Sequence, residues 1–468
     1  MAGVTSQLDF SALRIAILGG GPGGYEAAMV AASLGAKVTI VEQNGLGGSA
    51  VLTDVVPSKT LIATADTMAR VANAHSLGVK FADASSAYAD FTQVNQRLLD
   101  LAVDQSKDIS AALERAGVTI IIGTGKLLDN HRLEVETDAG TSIVEADAIL
   151  LALGAHPREL PTAVPDGERI FNWKQVYNLT EVPEHLIVIG SGVTGAEFAS
   201  AYHGLGAEVT LISSRDRVLP GEDADAAEVL EGVFRSSGMT VLSKSRAEGV
   251  ERVGDGVRVT LSDGRTVDGS HCLVAVGAIP NTAGIGLEEA GVALTESGHI
   301  KVDGVSRTTA PNVYASGDCT GVLALASVAA MQGRIAMAHL MGDAVSPLKL
   351  KTVASNIFTA PEIASVGVSE ADVESGQYQG DIFKLSLSTN ARAKMLNVKD
   401  GFVKIIARKG SGTVIGGVVV APRASELIFP LALAVTKKLH VDDVANTFTV
   451  YPSLTGSISE AARRLHVH

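Results

Sequence analysis

The sequence predicts an α/β protein with two parallel-sheet domains of one kind, followed by a smaller α+β domain. Three observations lead to this prediction. A glycine-rich strand–turn–helix–strand stretch occupies residues 15–43, and a second stretch of the same design occupies residues 187–214. The two align without a gap when 171 is added to the first numbering. From about Leu348 the pattern changes to short strands followed by two helical stretches, which is typical of an antiparallel sheet covered by helices.

The first stretch predicts a dinucleotide-binding βαβ unit. After the apolar strand 15–18, the glycines Gly19, Gly21 and Gly24 follow in G-x-G-x-x-G spacing. The first permits the turn, the second lets the backbone approach a pyrophosphate, and the third allows helix and strand to pack closely. The helix then directs its N-terminus at the phosphates. Glu42 ends the second strand, where a carboxylate accepts hydrogen bonds from a ribose 2′-hydroxyl.

The second stretch repeats these features with Gly190, Gly192 and Gly195. A glycine-rich turn without a ligand is the alternative for either stretch alone, but the shared register favours two nucleotide sites. The position equivalent to Glu42 holds Ser213, which offers no carboxylate to a 2′-hydroxyl and does not repel a 2′-phosphate.

Two arginines near Ser213 also distinguish the second nucleotide site from the first. Arg215 and Arg217 follow Ser213, and guanidinium groups suit phosphate. We therefore expect NADPH to be accepted, with NADH as a second donor. The alternative is that both arginines face solvent, and Asp216 between them weakens the positive field.

The remaining elements follow from apolar patterns and turn residues. Helices are predicted at residues 60–74, 91–116, 324–341, 425–438 and 457–465. Strands are predicted at residues 118–122, 132–137, 142–146, 148–153, 256–261, 272–276, 353–358, 382–388, 401–407 and 414–420. The Pro-rich segment 157–165 is interpreted as a linker.

Charge and composition argue against several classes of function. A formal charge of −13 argues against general affinity for nucleic acid or an anionic membrane. Cys272 and Cys319 are the only cysteines and lack metal-ligand spacing, so neither a disulfide framework nor a metal site is expected. No apolar run is long enough to span a bilayer, and the first residues do not read as a signal peptide. We expect a cytoplasmic protein.

At this point the chain resembles the pyridine nucleotide-disulfide oxidoreductases, which include dihydrolipoamide dehydrogenase and glutathione reductase. The resemblance covers nearly all 468 residues. Besides the two glycine motifs it rests on PSK at 57–59, YASGD at 314–318 and FTAPEIASVG at 358–367, which occur in the family's order. It implies an FAD-binding domain (1–158, with a return at 279–346), an NAD(P)-binding domain (159–278) and a dimer-interface domain (347–468) of a homodimer.

The resemblance also implies roles for individual residues. In the FAD site, Gly19, Gly21, Gly24 and Glu42 would hold the ADP half, Gly48 would cover the pyrophosphate, Gly125 would lie near the adenine, and Asp318 would bind the ribitol. Gly277 is expected at the nicotinamide nucleotide. Lys59 would lie near the flavin N5, paired with Glu197, and a cation there stabilises negative charge. The alternative for Lys59 is a surface lysine after a Pro-Ser turn.

The chain departs from the family where disulfide chemistry belongs. The two cysteines expected just before PSK are replaced by Ala50 and Val55, which cannot form a thiolate or a disulfide. Near the C-terminus Tyr451-Pro452 stands where the family has His-Pro, and the spacing to the next acid, Glu460, is stretched. A phenol is a poor general base at neutral pH. Both halves of dithiol catalysis are therefore missing.

These features predict an NAD(P)H:quinone oxidoreductase. Ala50, Val55 and Tyr451 of the partner subunit would form an apolar face for a flat acceptor, with Tyr451 either donating a hydrogen bond to a quinone oxygen or only packing. Flavoproteins of this family without the cysteine pair include actinobacterial quinone reductases, whose sequence is similar to residues 47–59. The alternatives are a soluble NAD(P)+ transhydrogenase and a flavin-bearing interaction or sensor protein.

Overall fold

The computed structural model describes residues 10–81 and 87–466. The strands, numbered β1 to β23 in chain order, are Arg14–Leu18, Lys37–Glu42, Thr119–Ile122, Thr124–Asp129, Arg132–Thr137, Gly140–Glu145, Ala148–Leu151, Ala155–Pro157, Ile170–Asn172, His185–Ile189, Glu208–Ile212, Thr240–Leu242, Ala247–Val253, Gly256–Leu261, Thr266–Gly269, His271–Val274, Ala278–Pro280, Val313–Ala315, Ala354–Ile357, Glu362–Gly367, Gly380–Ser386, Phe402–Arg408 and Val414–Ala421. The helices, numbered α1 to α13, are Pro22–Ser33, Gly48–Leu52, Val55–Asn73, Phe91–Arg115, Val193–Gly204, Ala224–Ser236, Ala326–Leu340, Glu370–Glu374, Ala391–Met395, Ala424–Leu427, Phe429–Lys437, Val441–Ala445 and Gly456–Arg463.

The chain divides into two compact units. The first takes in the chain through Pro57 together with Gln96–Pro157 and Ala278–Leu348. The second takes in Ser58–Asn95, Arg158–Gly277 and the chain from Lys349 onward. The predicted boundaries after residues 158, 278 and 346 lie within two residues of the points at which the chain passes between units. The assignment of four segments to separate domains stays a prediction.

The first unit is built on a parallel five-stranded sheet in the order β18-β7-β1-β2-β3. Its strands are short apolar runs, and β7 is buried throughout, as expected for a parallel sheet covered on both faces. Helices α1 and α7 pack so closely that a Cβ on Gly333 would lie 2.2 Å from the carbonyl oxygen of Gly23. An antiparallel meander, β4-β5-β6, and the two-stranded ribbon β8-β17 complete the unit.

The second unit contains a parallel sheet of the same design, in the order β9-β16-β10-β11-β12. The repeat extends to the pairing register, because Ile15 pairs with Val38 in the first sheet and Leu186 pairs with Val209 in the second. Both residue numbers differ by the 171 of the sequence offset. A second antiparallel meander, β13-β14-β15, occupies the corresponding place in the chain.

The C-terminal part of the second unit is an antiparallel sheet in the order β19-β20-β23-β22-β21. Helices α10, α11 and α13 cover it around a buried aliphatic core. The predicted fold class, two nucleotide-binding α/β domains with an α+β C-terminal domain, is confirmed.

Some individual elements have the predicted bounds, and others do not. Strands 132–137 and 256–261 have the predicted bounds. The predicted helix 425–438 is wrong as a single element, because α10 ends at Leu427 and α11 begins at Phe429. Pro430 lies in the first turn of α11, where a missing N–H breaks no helical hydrogen bond, and so it marks a helix start. Helices α2, α6, α8, α9 and α12 were not predicted.

Candidate functional site

The first glycine turn combines two glycines that the fold requires with one that leaves open space. Gly19 has a φ of +103°, and a Cβ there would lie 2.2 Å from the carbonyl oxygen of Ala152. A Cβ on Gly24 would lie 2.0 Å from the carbonyl oxygen of Gly19. Gly21, the N-cap of α1, has no atom within 4 Å of its Cβ position. That space at a helix N-terminus suits a phosphate ligand.

Glu42 closes this turn from the end of β2. Its side chain is buried, and its two carboxylate oxygens accept hydrogen bonds from the backbone N–H of Gly20 at 2.6 Å and of Asn44 at 2.8 Å. A carboxylate oxygen accepts more than one hydrogen bond, so the group retains capacity for a ribose hydroxyl. Glu42 therefore both shapes the turn and fits the predicted contact.

A cradle of bare backbone lies beside the same turn. Gly48 has a φ of +57°, and a Cβ there would lie 2.9 Å from the Cα of Gly21. The neighbouring Gly47 donates its N–H to the carbonyl of Gly20 at 2.7 Å. On β4, a Cβ on Gly125 would collide with the last leucine of β1, at 2.5 Å. The close packing around Gly48 and Gly125 leaves no room for side chains, so the backbone stays bare beside the turn.

The turn after β18 supplies polar groups to the first unit. Asp318 is half-buried, and burial raises the pKa of its carboxyl, opposed by His299. The buried Oγ of Ser316 has no hydrogen-bond partner among the residues that the structure describes. This hydroxyl adjoins the first turn of α1, since a Cβ on Gly23 would lie 2.2 Å from it. An orphaned hydroxyl at the first turn of α1, with a partly desolvated carboxyl two residues further along the chain, fits a dinucleotide with a hydroxylated chain.

The second glycine turn reproduces the first almost atom for atom. Gly190 has a φ of +108°, and its Cβ would lie 2.2 Å from the carbonyl oxygen of Ala275. A Cβ on Gly195 would lie 1.8 Å from the carbonyl oxygen of Gly190, whereas Gly192, the N-cap of α5, again has open space. Gly277, just beyond β16, has a φ of +100° and is open as well. A second nucleotide fits here by the same criteria.

Ser213 points inward rather than toward a ligand. It is fully buried, its Oγ lies 2.7 Å from the Oγ of Ser191, and it accepts the backbone N–H of Arg215 at 3.1 Å. Glu42 makes the equivalent connection in the first unit, because Gly20 corresponds to Ser191. The structure therefore shows Ser213 fixing the turn and the loop after β11.

The arginines of this loop differ in their surroundings. Arg215 is exposed, whereas the guanidinium of Arg217 lies 3.4 Å from the carbonyl oxygens of Pro220 and Glu222. Lys244 was not predicted at this site, yet its backbone N–H donates to the carbonyl of Arg215 at 2.7 Å and its side chain is exposed. Sequence spacing gave no signal for Lys244, since it follows a different strand.

The predicted lysine–glutamate pair is formed in the second unit. Nζ of Lys59, on α3, lies 2.7 Å from Oε2 of Glu197, a buried residue of α5. The other oxygen, Oε1, accepts the backbone N–H of Phe358 at 2.8 Å, and the Phe358 ring centroid lies 5.0 Å from the ammonium. At the equivalent place in the first unit, Glu26 instead pairs with Arg334 at 2.8 Å on the surface.

The residues that replace the cysteine pair lie on adjacent helices. Ala50 belongs to α2, and Val55 is the first residue of α3, one turn before Lys59. The two cysteines of the chain lie elsewhere: Cys272 in β16 and Cys319 after β18 are both fully buried, and burial raises the pKa of each thiol. The chain therefore carries no thiol pair for disulfide exchange.

Tyr451 lies in an exposed apolar segment. Tyr451 is 86% exposed, and Val450 and Phe448 beside it are similarly uncovered. Glu460, the acid that follows, is bound to Arg463 at 2.8 Å, and this arginine lowers the pKa of the Glu460 carboxyl. Glu460 is thus engaged on its own helix, α13.

One group of carboxylates has the geometry of a cation site. Asp223, Asp225 and Glu370 bring their oxygens together, and the buried ammonium of Lys404 lies among them, 2.8 Å from Asp223 and 2.7 Å from Asp225. Lys384 pairs with Asp225 from the exposed side at 2.8 Å. A lysine therefore already supplies the positive charge.

Two family models match the chain. The family model described as pyridine nucleotide-disulphide oxidoreductase matches residues 13–333, and the dimerisation domain of that family matches residues 353–462. Among the described residues, no helix is both long and apolar enough to cross a bilayer.

The chain is similar along nearly its whole length to several known proteins. It is 52% identical over 465 residues to an NAD(P)H dehydrogenase (quinone) of Mycobacterium tuberculosis, covering 97% of this chain and 94% of the relative. It is 33% identical over 449 residues to a dihydrolipoyl dehydrogenase of Geobacillus stearothermophilus, covering 95% and 94%. The crystal structure of LpdA from M. tuberculosis superposes with a TM-score of 0.93 at 52% identity, covering 97% of this chain and all of that one.

A more distant structure shares the fold alone. The flavoprotein disulfide reductase RclA of Escherichia coli has a TM-score of 0.86 at 24% identity, over 96% of this chain and 99% of that chain. The predicted resemblance and the prediction of an oxidoreductase are confirmed. The chain belongs to the pyridine nucleotide-disulphide oxidoreductase family, whose cofactors are FAD and a nicotinamide dinucleotide.

Proposed function

We propose that the chain is an FAD-dependent NAD(P)H:quinone oxidoreductase that works without a redox-active disulfide. The observation that carries this proposal is the loss of both signature cysteines, replaced by Ala50 and Val55, in a chain whose other motifs keep the family's order. The relative named NAD(P)H dehydrogenase (quinone) supports it. Bound FAD would supply the transfer of hydride and electrons between NAD(P)H and the quinone.

The first unit would hold FAD. The turn of Gly19, Gly21 and Gly24 would face the pyrophosphate, with Glu42 at the ribose. The open space at the Cβ position of Gly21 and the orphaned Ser316 hydroxyl support this assignment. Gly48, Gly125 and Asp318 would complete the site with bare backbone and one carboxyl.

The turn of Gly190, Gly192 and Gly195 in the second unit would hold NAD(P)H, with Gly277 beside it. Ser213 would contribute by fixing the loop, and the exposed Arg215 and Lys244 would meet a 2′-phosphate. Arg217, partly occupied by backbone carbonyls, would contribute less. We therefore propose that NADPH is used, together with NADH.

Lys59 would supply a positive charge at the redox centre, with Glu197 holding it in place. The pair is formed within 2.7 Å, and the side chain of Lys59 is 27% exposed. A partly desolvated cation acts more strongly on a developing negative charge than a cation in water.

The acceptor side would require a second copy of the chain. Phe448, Val450 and Tyr451 form an exposed apolar segment within the matched dimerisation domain, which is what an unformed interface exposes. We propose a homodimer in which Tyr451 of the partner subunit joins Ala50 and Val55 at the quinone. The two free thiols suit a reducing compartment, and we place the enzyme in the cytoplasm.

The test is NADPH oxidation by the purified protein, with a menadione-type quinone and lipoamide compared side by side. The proposal expects fast turnover with the quinone and none with lipoamide, because lipoamide reduction needs the missing dithiol. NADH is assayed in parallel to measure the nucleotide preference.

Two results would contradict the proposal. Turnover with lipoamide would show that another group replaces the cysteine pair. Reduction of the bound flavin without turnover on either acceptor would leave a transhydrogenase, tested by hydride transfer from NADPH to an NAD+ analogue, or a protein whose flavin serves binding or sensing.

A further inference from the structure

We infer that Phe358 is a positioning residue that holds the ammonium of Lys59 at the redox centre. This inference rests on the proposed role of Lys59 and extends it to a residue outside the nucleotide motifs. Phe358 lies just after β19, 299 positions along the chain from Lys59.

Glu197 fixes both Lys59 and the segment that carries Phe358. One of its oxygens accepts from Nζ of Lys59 at 2.7 Å and the other from the N–H of Phe358 at 2.8 Å. The Glu197 side chain is 7% exposed. Because both of its oxygens accept hydrogen bonds, the carboxylate is held in a single orientation. One turn further along α5, Oγ of Ser200 accepts the N–H of Ala360 at 3.0 Å. Two backbone donors therefore fasten residues 358–360 to α5.

This attachment places an aromatic face against the lysine. The Phe358 centroid lies 5.0 Å from Nζ of Lys59, inside the distance of about 6 Å at which a ring attracts a cation. Lysine has a flexible four-carbon stem, and a single carboxylate fixes its ammonium from one direction only. The ring provides a second contact, which restricts the ammonium to one position.

Substitutions at position 358 can remove the ring without removing the backbone contact. Every residue except proline retains the N–H that Glu197 accepts. Phe358→Leu removes the π face and keeps an apolar side chain. Phe358→Tyr retains the ring. The main measurement is the midpoint potential of the bound FAD, and the second is the rate of flavin reduction by NADPH in single turnover.

We expect Phe358→Leu to lower the midpoint potential by about 15 to 30 mV, which is a threefold to tenfold smaller ratio of reduced to oxidised flavin. Flavin reduction should slow by a comparable factor, on the order of threefold to tenfold. Phe358→Tyr should restore both values. In a Lys59→Met background, Phe358→Leu should have no further effect, because the ring then has no cation to position.

The control is Tyr378→Leu, which removes a similar lysine–ring contact, with Lys351 at 5.7 Å, within the same unit. It should leave the potential unchanged. Thermal unfolding and FAD content are measured for every variant to identify loss of folding.

The inference is overturned if Phe358→Leu leaves the potential at the wild-type value, or if it shifts the potential equally with and without Lys59. These outcomes are distinct from failure of the proposed function. A wild-type protein without quinone turnover, but with coupling between Phe358 and Lys59, would refute the function and retain the inference.

Discussion

At the residue scale, equivalent glycines in the two units divide into two kinds. Gly19 and Gly190 have φ values of +103° and +108° and carbonyl oxygens 2.2 Å from the Cβ position, so the fold itself demands glycine. Gly21 and Gly192 have φ values of −67° and −71°, which other residues adopt, and open space around them. The fold therefore does not require glycine at these two positions, and we propose that the bound nucleotides do.

This distinction predicts separate effects on the two cofactors. Gly21→Ala should fold normally but lose most of its bound FAD, because the methyl group occupies the space of the pyrophosphate. Gly192→Ala should keep its FAD and raise the KM for NADPH about tenfold, a loss of about 1.4 kcal/mol. Absorbance spectra, thermal unfolding and steady-state kinetics measure these effects.

Gly19→Ala is the matched control, since it should fail to fold through its clash with Ala152. An unfolded Gly21→Ala protein, or a Gly192→Ala protein with normal KM, would contradict the assignment of the two turns.

At the scale of elements, the sequence pattern did not predict the side-chain contacts that join distant strands and helices. Strand 401–407 was predicted from its apolar residues, yet β22 carries the buried cation Lys404, whose partners lie at the start of α6 and on α8. Asp223 is also the N-cap of α6, accepting the N–H of Ala226 at 3.1 Å. One lysine therefore joins a strand to two helices.

Removing this lysine should strongly destabilise the protein. Lys404→Met leaves three carboxylates without their buried counter-charge, and breaking a buried ion pair from one side costs about 3–5 kcal/mol. Lys384→Met is the matched control: it removes a lysine that is 47% exposed from the same Asp225, at an expected cost below about 1 kcal/mol. Urea denaturation measures both. Equal losses in the two variants would show that burial of Lys404 is unimportant.

At the scale of the whole molecule, local patterns predicted the architecture and most of the site, but not the contacts between distant segments. The glycine turns and Glu42 were predicted because short motifs encode them, whereas the Lys59–Glu197 pair was predicted only because the family resemblance implies it. Phe358 and Lys244 were not predicted as neighbours of the candidate site, because only tertiary packing brings them to Lys59 and Arg215. The inward orientation of Ser213 depends on Ser191, a pairing that no spacing rule expresses.

Dimer formation should be needed for quinone reduction but not for reduction of the flavin by NADPH. Phe448→Asp places a charge in the exposed apolar segment and should shift the protein to monomers, because charges are disfavoured in interface cores. Monomers should keep single-turnover reduction by NADPH but lose at least about tenfold in quinone turnover, since Tyr451 of a partner subunit is absent.

Analytical ultracentrifugation and stopped-flow kinetics measure the two effects. Val253→Asp, an exposed change in the β13–β14 hairpin outside the dimerisation domain, should alter neither. A monomeric Phe448→Asp protein with full quinone turnover would rule out a contribution from the partner subunit.

The equivalent glutamates on helices α1 and α5 have different partners in the two units. At the offset of 171 that relates the two repeated stretches, both helices have an acid, Glu26 in one and Glu197 in the other. On α1 the acid makes a surface pair with Arg334, and on α5 it is buried against Lys59 and Phe358. The repeat thus places a carboxylate at the same point of both helices, and its neighbours alone decide whether it ties down a surface arginine or orients the ammonium of Lys59.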